Sequence, residues 1–187
     1  GPGGPPFLAD TNVGVFHTLK APPLVPDMFL SLGVRVAQDW WQKRHRSYFL
    51  REFGKPPEVV IEIVSNREGE EDGSKLLDYA QMGIRYYVIF DPVEELGQGV
   101  LRLYELHQGN YVAMKQRWLP AVGLGLTLWY GTYEQTEEIW LRWCDREGNL
   151  ILTGAEGMAQ KQQQVEQECQ RAEQERQRAE QERQHKE

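Results

Sequence analysis

One acidic residue inside an aliphatic run constrains this chain more than any other feature. The segment Val59–Val64 has the sequence VVIEIV, with two prolines before it and a polar loop after it. This pattern is typical of a buried central strand. Burying an ionised carboxylate without a partner costs several kcal/mol. Glu62 must therefore meet a cation, a basic side chain or a cleft, and the fold has to provide one of these.

The alternation of side chains along this strand assigns its residues to two faces. Glu58, Glu62 and Val64 share one face, because successive side chains of a strand point to opposite sides of the sheet. The other face carries Val59, Ile61 and Ile63. Two carboxylates, those of Glu58 and Glu62, can therefore point toward one place.

The segments after this strand predict a helix and a second strand. Apolar residues at helical spacing indicate a helix over Ser74–Met82, with Gly83 as its stop. Arg85–Phe90 (RYYVIF) then has the composition of another buried strand, closed by Asp91 and a proline. A strand, a helix and a strand within about thirty residues are typical of a parallel crossover unit.

Shorter strands are predicted on both sides of this unit. Upstream, Val13–Phe16 and Asp27–Leu32 are apolar segments bounded by breakers, and residues 36–54 fit either a short helix or an irregular excursion. Downstream, turn sequences predict two hairpins that extend the sheet in antiparallel fashion. One hairpin joins Val100–Leu106 to Tyr111–Lys115, and the other joins Ile139–Cys144 to Leu150–Leu152.

From Ala155 the composition changes to Gln, Glu, Arg and Ala, which favours a helix. Met158, Val165, Ala172 and Ala179 recur every seven residues, the period of a coiled-coil seam. The companion positions are polar or small, so a solitary charged helix and a dimeric coiled coil both stay open; they are Gln162, Cys169, Arg176 and Arg183. We predict three segments: 1–6, a flexible N-terminal segment or cloning remnant; 7–154, an α/β domain; and 155–187, a charged helical or weak coiled-coil tail.

Bulk properties narrow the function classes. A net charge of −7 argues against a protein that coats nucleic acid through nonspecific phosphate contacts. It leaves room for an acidic site that holds a cation. The two cysteines and four scattered histidines form neither a disulfide framework nor a zinc-type spacing. No apolar run approaches the roughly 18 residues of a membrane span, and no signal peptide is found, so we expect a cytoplasmic protein.

Three residues suit phosphodiester hydrolysis. Asp27 stands at the head of one predicted strand, Glu62 lies within another, and Lys75 begins the following helix. Carboxylate oxygens hold Mg²⁺ while the ion retains several waters. A metal ion polarises a phosphate and lowers the pKa of bound water, and a lysine can orient that water or offset charge in the transition state.

Each of these residues has a simpler structural interpretation. Asp27 after a proline fits a turn cap. Glu62 fits a structural ion pair with Lys75 or with an arginine. Lys75 near a helix start fits a solvated side chain. The residues alone leave these alternatives open.

An ordered set of motifs over about residues 7–153 resembles the bacterial Uma-two family, whose members are described as restriction endonucleases of the PD-(D/E)XK nuclease superfamily. The matching segments follow one another in the family's order: Val25–Phe29, Pro57–Ser65, Asp72–Leu76, Tyr79, Gly83–Ile84, Tyr86–Val88 and Asp91–Pro92.

This resemblance implies a restriction-endonuclease-like α/β fold, a mixed β-sheet with a strand–helix–strand core. It implies Asp27 as the first metal ligand and Glu62 as the acid of the second motif. The superfamily's lysine would stand two residues after that acid, where this chain has Val64, and Lys75 matches the family's helix lysine. Glu58 stands where the family commonly has Asp after Pro.

The implied function is a DNA endonuclease that depends on Mg²⁺ (or Mn²⁺), with Asp27, Glu62 and Lys75 as catalytic residues and Asp27 and Glu62 as metal ligands. The alternative is a catalytically degenerate module of the same fold that binds nucleic acid or protein, with a tail that mediates homo-oligomerisation, most simply as a dimer. A purely structural scaffold built around the tail would leave the buried Glu62 unexplained.

Overall fold

The two strands predicted around Glu62 form the centre of a six-stranded sheet, and the predicted helix connects them. The structure, a computed structural model, describes residues 6–18, 22–35, 47–65 and 73–184. Its elements in chain order are β1 (Phe7–Thr11), β2 (Val15–Phe16), β3 (Met28–Leu32), β4 (Tyr48–Phe49), α1 (Leu50–Phe53), β5 (Val59–Ile63), α2 (Ser74–Met82), β6 (Tyr86–Phe90), β7 (Leu101–His107), β8 (Asn110–Ala113), β9 (Trp118–Leu119), β10 (Leu124–Tyr133), β11 (Thr136–Cys144) and α3 (Gly154–Gln184).

The main sheet has the strand order β1-β3-β5-β6-β7-β8. β5 and β6 are parallel and joined through α2, as the crossover pattern predicts, whereas the other neighbours in this sheet are antiparallel. α2 ends at Gly83, whose φ of 77° is a left-handed cap that glycine adopts without a steric penalty. The predicted α/β class with a mixed sheet is confirmed.

The central strands are apolar because both of their faces are covered. On one face, Val60 of β5 packs in a cluster with Phe29 and with Tyr79 of α2. On the other face, Ile61 packs with Leu119 and other residues from β9 and β10. Burying each aliphatic side chain contributes roughly 1.5–3 kcal/mol. The continuous hydrophobic run therefore reflects a strand enclosed between two layers.

β7 and β8 form the first predicted hairpin and extend the sheet in antiparallel fashion. His107 pairs with Asn110 across a two-residue turn. Both turn residues have positive φ, Gln108 at 49° and Gly109 at 82°, the backbone that a tight hairpin of this type requires. This hairpin of the sequence prediction is confirmed.

The second predicted hairpin is wrong. β11 pairs along its length with β10, whereas Leu150–Leu152 form no strand. The Asp145 carboxylate instead accepts hydrogen bonds from the N–H groups of Glu147 and Asn149, which closes a local turn directly after β11. β9, β10 and β11 also form a separate three-stranded sheet, so only β7 and β8 continue the main one.

The β10 strand escaped the sequence analysis because two glycines interrupt its apolar pattern. Gly131 allows the ring of Trp129 to lie directly over the backbone, since a Cβ at this position would stand 2.2 Å from a ring carbon. A glycine within a strand often marks such a close approach. The first strand, β1, also escaped prediction, and it pairs with β3 at the edge of the main sheet.

The chain divides into two units, Gly1–Asn149 and Leu150–Glu187. In the second unit, α3 is a 31-residue helix whose start is a capping box. The Thr153 hydroxyl accepts the N–H of Glu156, and the Glu156 carboxylate accepts the N–H of Thr153. Within the described ranges, no helix combines the length and hydropathy that crossing a membrane requires.

Two predictions fall partly outside the described residues. Of the predicted N-terminal segment 1–6, only Pro6 is described, and residues 36–46 of the stretch 36–54 are likewise outside. Within the described remainder of that stretch, β4 leads directly into the single-turn helix α1.

Candidate metal and catalytic site

β3 and β5 bring Asp27 and Glu62 to the same place on the sheet. The antiparallel register pairs Met28 with Ile61, so continuing it by one residue sets Asp27 opposite Glu62. Residues directly opposite each other share a face. A hydrogen bond also joins Asp27 to the end of β5, because the Ile63 N–H donates to Asp27 Oδ2 at 2.6 Å. The Asp27 carboxylate thus has a hydrogen-bond partner on the neighbouring strand, outside the turn that precedes β3.

α2 covers the Glu62 carboxylate with two donors. Lys75 Nζ donates to Oε2 at 3.0 Å, and the Tyr79 hydroxyl donates to Oε1 at 2.5 Å. Lys75 and Tyr79 are four residues apart, which places them on one face of a helix. Glu62 is 2% exposed. The buried acid therefore has the basic partner that its surroundings demand.

The protonation of Glu62 reflects opposing influences. Burial raises its pKa above the ordinary value, the hydrogen bonds from Tyr79 and Lys75 act in the opposite direction, and the negative charge of Asp27 raises the pKa further. Burial and the neighbouring Glu62 also raise the pKa of Tyr79, which stays a hydroxyl donor. A divalent cation would stabilise the charged form of Glu62, which burial and the nearby negative charge of Asp27 disfavour.

The donor set fits Mg²⁺ or Mn²⁺. Both ligand candidates, Asp27 and Glu62, present carboxylate oxygens, the hard ligands that these ions prefer. In the part of the chain that the structure describes, no cluster of three or more His, Cys, Asp or Glu side chains forms a metal site. Magnesium needs no such cage, because it commonly binds through one or two carboxylates and keeps several waters.

Glu58 does not join this site, although strand alternation assigns it to the same face as Glu62. Its carboxylate accepts the Leu32 N–H at 2.9 Å and forms an ion pair with Lys55. It stands just before β5, four residues from Glu62, which corresponds to roughly 13 Å at about 3.3 Å per residue. Sharing a face of a strand therefore did not place the two acids together, because they lie at opposite ends of that strand.

The ammonium group beside Glu62 comes from Lys75 on α2, and not from position 64, where this chain has a valine. Val64 is 2% exposed and belongs to the hydrophobic cluster that also contains Val60 and Ile89. A lysine there would have to bury its ammonium group among aliphatic side chains. Lys75 instead reaches the carboxylate from α2, so the positive charge arrives from a different element.

Tyr79 is the site residue that the sequence analysis missed as a functional group. It appeared there only as one of the family's matching positions, and nothing in its local pattern distinguishes it from a core tyrosine. The available signal was its spacing of four from Lys75, which predicts that whatever Lys75 contacts lies within reach of Tyr79 as well.

Comparison with known families supports the resemblance drawn from the motifs. The model of the Uma-two family, described as "Putative restriction endonuclease", matches residues 5–126. The chain belongs to this family. The matched residues run from β1 into β10 and include Asp27, Glu62 and Lys75. Most of the β10–β11 hairpin and all of α3 lie beyond the match.

Similarity to other proteins is more distant. One similar solved structure is described as a "putative nuclease belonging to DUF820" from Anabaena variabilis, with 15% sequence identity and a TM-score of 0.39. The alignment covers 59% of this chain and 56% of that chain. The chain thus spans little more than half the length of that protein. A comparison with curated proteins found no match.

Proposed function

We propose that this protein is a DNA endonuclease that hydrolyses phosphodiester bonds with Mg²⁺ (or Mn²⁺) bound by Asp27 and Glu62. The observation that supports the proposal most is the buried Glu62 carboxylate, opposite one acid and bonded to a lysine. Membership in a family described as restriction endonucleases supports nuclease chemistry. An acid with a perturbed pKa beside a basic group, as Glu62 is beside Lys75, is typical of an active site.

Each residue has a distinct role in the proposed reaction. Asp27 and Glu62 would hold the ion from neighbouring strands, which fixes its place relative to the sheet. A bound divalent ion polarises the phosphate and lowers the pKa of its water. Lys75, already beside Glu62 at 3.0 Å, would orient the attacking water or offset the negative charge that develops on the phosphate.

The alternative is a degenerate nuclease fold that only binds nucleic acid or protein. The absence of a lysine two residues after Glu62 is the argument for it. The position of Lys75 argues against it, because Lys75 provides an ammonium group at hydrogen-bond distance from the same carboxylate. We therefore favour the enzyme.

Cleavage of supercoiled plasmid tests the proposal. The wild-type protein should nick the plasmid with Mg²⁺ or Mn²⁺ and not with EDTA. Glu62→Gln should lower the rate by at least about 100-fold, since it removes a ligand carboxylate. Glu58→Gln is the matched control, because it changes the same residue type at the other end of the same strand and should leave the rate unchanged.

Equal nicking by the wild type and by Glu62→Gln would remove the enzyme interpretation for this site. Plasmid binding without cleavage by both proteins would favour the degenerate module. Parallel assays with single-stranded DNA and RNA identify the nucleic acid that is cleaved.

We also propose that α3 mediates weak self-association as a dimer. Met158 and Val165 lie seven residues apart and are 74% and 59% exposed, and a seam with this period is typical of a coiled coil. Sedimentation of the protein with and without residues 155–187 tests this. An unchanged mass would dismiss assembly through α3.

A further inference from the structure

Tyr79 and Glu62 form a buried pair that is joined by a short hydrogen bond as well as by packing. The Tyr79 side chain is 0% exposed and Glu62 is 2% exposed, so water cannot replace their 2.5 Å hydrogen bond. A hydrogen bond between a hydroxyl and a carboxylate at this distance is of the strong, charge-assisted type. Its geometry defines where the Oε1 atom of Glu62 lies.

The donors on the two oxygens of Glu62 are different and come from consecutive turns of α2. Oε1 accepts from Tyr79 and Oε2 accepts from Lys75. A carboxylate offers about four lone-pair sites, so each oxygen keeps roughly one for another partner. A rotation of the carboxylate that kept one donor would misalign the other. The pair of donors therefore fixes the plane of the carboxylate, which no single donor would do.

Tyr79 is itself held in place. Its ring packs against that of Tyr87, with ring centroids 5.2 Å apart, and its carbonyl accepts the N–H of Ile84 at 3.2 Å where α2 ends. A polar group on a rigid helix that is locked by packing can orient a ligand residue more accurately than a mobile side chain can.

We propose that Tyr79 is a positioning residue for the metal site: its hydroxyl fixes the Glu62 carboxylate so that the remaining lone pairs of Glu62, together with Asp27, hold the divalent ion. Lys75, which donates to the other oxygen of Glu62, completes this orientation. This inference rests on the proposed function and extends it to a residue that does not touch the ion.

Direct Mn²⁺ binding, measured by calorimetry or by electron paramagnetic resonance, tests the role of Tyr79 without reference to cleavage. Tyr79→Phe removes only the hydroxyl and should weaken Mn²⁺ binding by about 10- to 100-fold, the usual effect of removing a partner that orients a metal ligand. In cleavage assays the half-saturating Mn²⁺ concentration should rise by a similar factor, with a smaller change in the rate at saturation.

Tyr111→Phe is the matched control. Its hydroxyl donates to the Ile84 carbonyl at 2.7 Å, and its ring also packs against Tyr87, but it does not contact Glu62. We expect Mn²⁺ affinity to change by less than about twofold, because the metal ligands keep their partners. Equal weakening by both substitutions would overturn the inference, because loss of a buried hydroxyl anywhere in the cluster would then explain the effect.

The outcomes separate this inference from the proposed function. If the wild type and Glu62→Gln bind Mn²⁺ equally, the metal site itself is refuted and the role of Tyr79 with it. If Glu62→Gln loses binding while Tyr79→Phe binds as tightly as the wild type, the proposed function stands and only the role of Tyr79 is overturned.

A measurement on the wild-type chain covers the case in which Tyr79→Phe fails to fold. With tyrosines labelled at the ring carbon that bears the hydroxyl, nuclear magnetic resonance should show the Tyr79 signal shifting as Mg²⁺ is added, while the Tyr111 signal stays constant. A Tyr79 signal that ignores Mg²⁺ while Glu62-dependent binding is saturated would refute the positioning role.

Discussion

Two regions of this protein contain both glutamates and basic residues, one in the core and one on the exposed helix α3. In the core, Glu62 on β5 meets Lys75 on α2 at 3.0 Å, in surroundings that exclude nearly all water from the acid. On α3, the seven residues RAEQERQ occur at Arg171–Gln177 and again at Arg178–Gln184. These repeats set acids three residues before arginines, and their described side chains are exposed.

The difference lies in the medium around each pair. Two unit charges 4 Å apart attract by about 1 kcal/mol in water and by about 4 kcal/mol at an effective dielectric constant near 20. On α3, water replaces any partner that is lost, so single pairs contribute little. In the core, loss of the partner leaves a charge that water cannot reach. Burial, and not the number of charged residues, therefore distinguishes the candidate site from the tail.

The largest expected effect on stability is that of Lys75→Met. Breaking a buried ion pair from one side costs about 3–5 kcal/mol, and we expect the lower end, about 3 kcal/mol at pH 8, since Lys75 is 29% exposed. Urea unfolding measures the loss. Lys55→Met, which removes the more exposed partner of Glu58, should cost less than about 1 kcal/mol. Similar losses for both lysines would abolish the distinction drawn between core and surface pairs.

A second effect concerns pH. Because burial raises the pKa of Glu62 in the folded state above its ordinary 4.5, the folded protein holds this proton more tightly than the unfolded chain does. The resulting stabilisation is fully present below the unfolded pKa and is lost as pH rises through the folded pKa. Each unit of separation between the two pKa values contributes about 1.4 kcal/mol.

Glu62→Gln lacks this titration, so its stability relative to the wild type should increase as pH rises from 4.5 through the raised folded pKa of Glu62. Urea unfolding of both proteins across that range gives the difference at each pH. A difference that stays flat, or that falls with rising pH, would contradict the raised pKa of Glu62.

On α3, the cap should matter more than any charge pair. Thr153→Ala removes the hydroxyl that accepts the Glu156 N–H and should cost about 1 kcal/mol locally. Amide hydrogen exchange in the first turn would then be about fivefold faster. Glu156→Gln is the control, since glutamine also serves in a capping box and should change exchange less. Equal acceleration by both would show that the carboxylate charge, and not the cap geometry, stabilises the helix start.

The smallest effect is expected for Arg176→Gln. Arg176 has Glu173 three residues before it and Glu180 four residues after it, and each pair at such a spacing stabilises a helix by at most about 0.5 kcal/mol. Circular dichroism should detect a slight loss of helicity at low salt that disappears near 1 M salt. A large loss of helicity that persists at high salt would mean that Arg176 contacts a partner. Arg176 would then resemble the buried Lys75 more than an exposed charge.

The elements around Glu62 could be predicted because their signals are local. The β-branched run gave β5, the helical spacing and Gly83 gave the bounds of α2, and the next apolar run gave β6. Family membership could likewise be recognised from the order of short motifs. The pairing of β10 with β11 could not be predicted, because partner choice depends on contacts between residues distant in sequence and the Gly131 interruption hid one partner.

The sequence by itself determined that the acid at position 62 lies within an aliphatic run and needs a cation, a basic side chain or a cleft, because such a run is typical of a buried strand and burying a charge without a partner is costly. Only the tertiary structure decided which groups answer that need. The register of β3 against β5 set Asp27 opposite Glu62 and left Glu58 with Lys55. The placement of α2 on one face of the sheet then brought Lys75 and Tyr79 to the two carboxylate oxygens, a result of packing that no local pattern encodes.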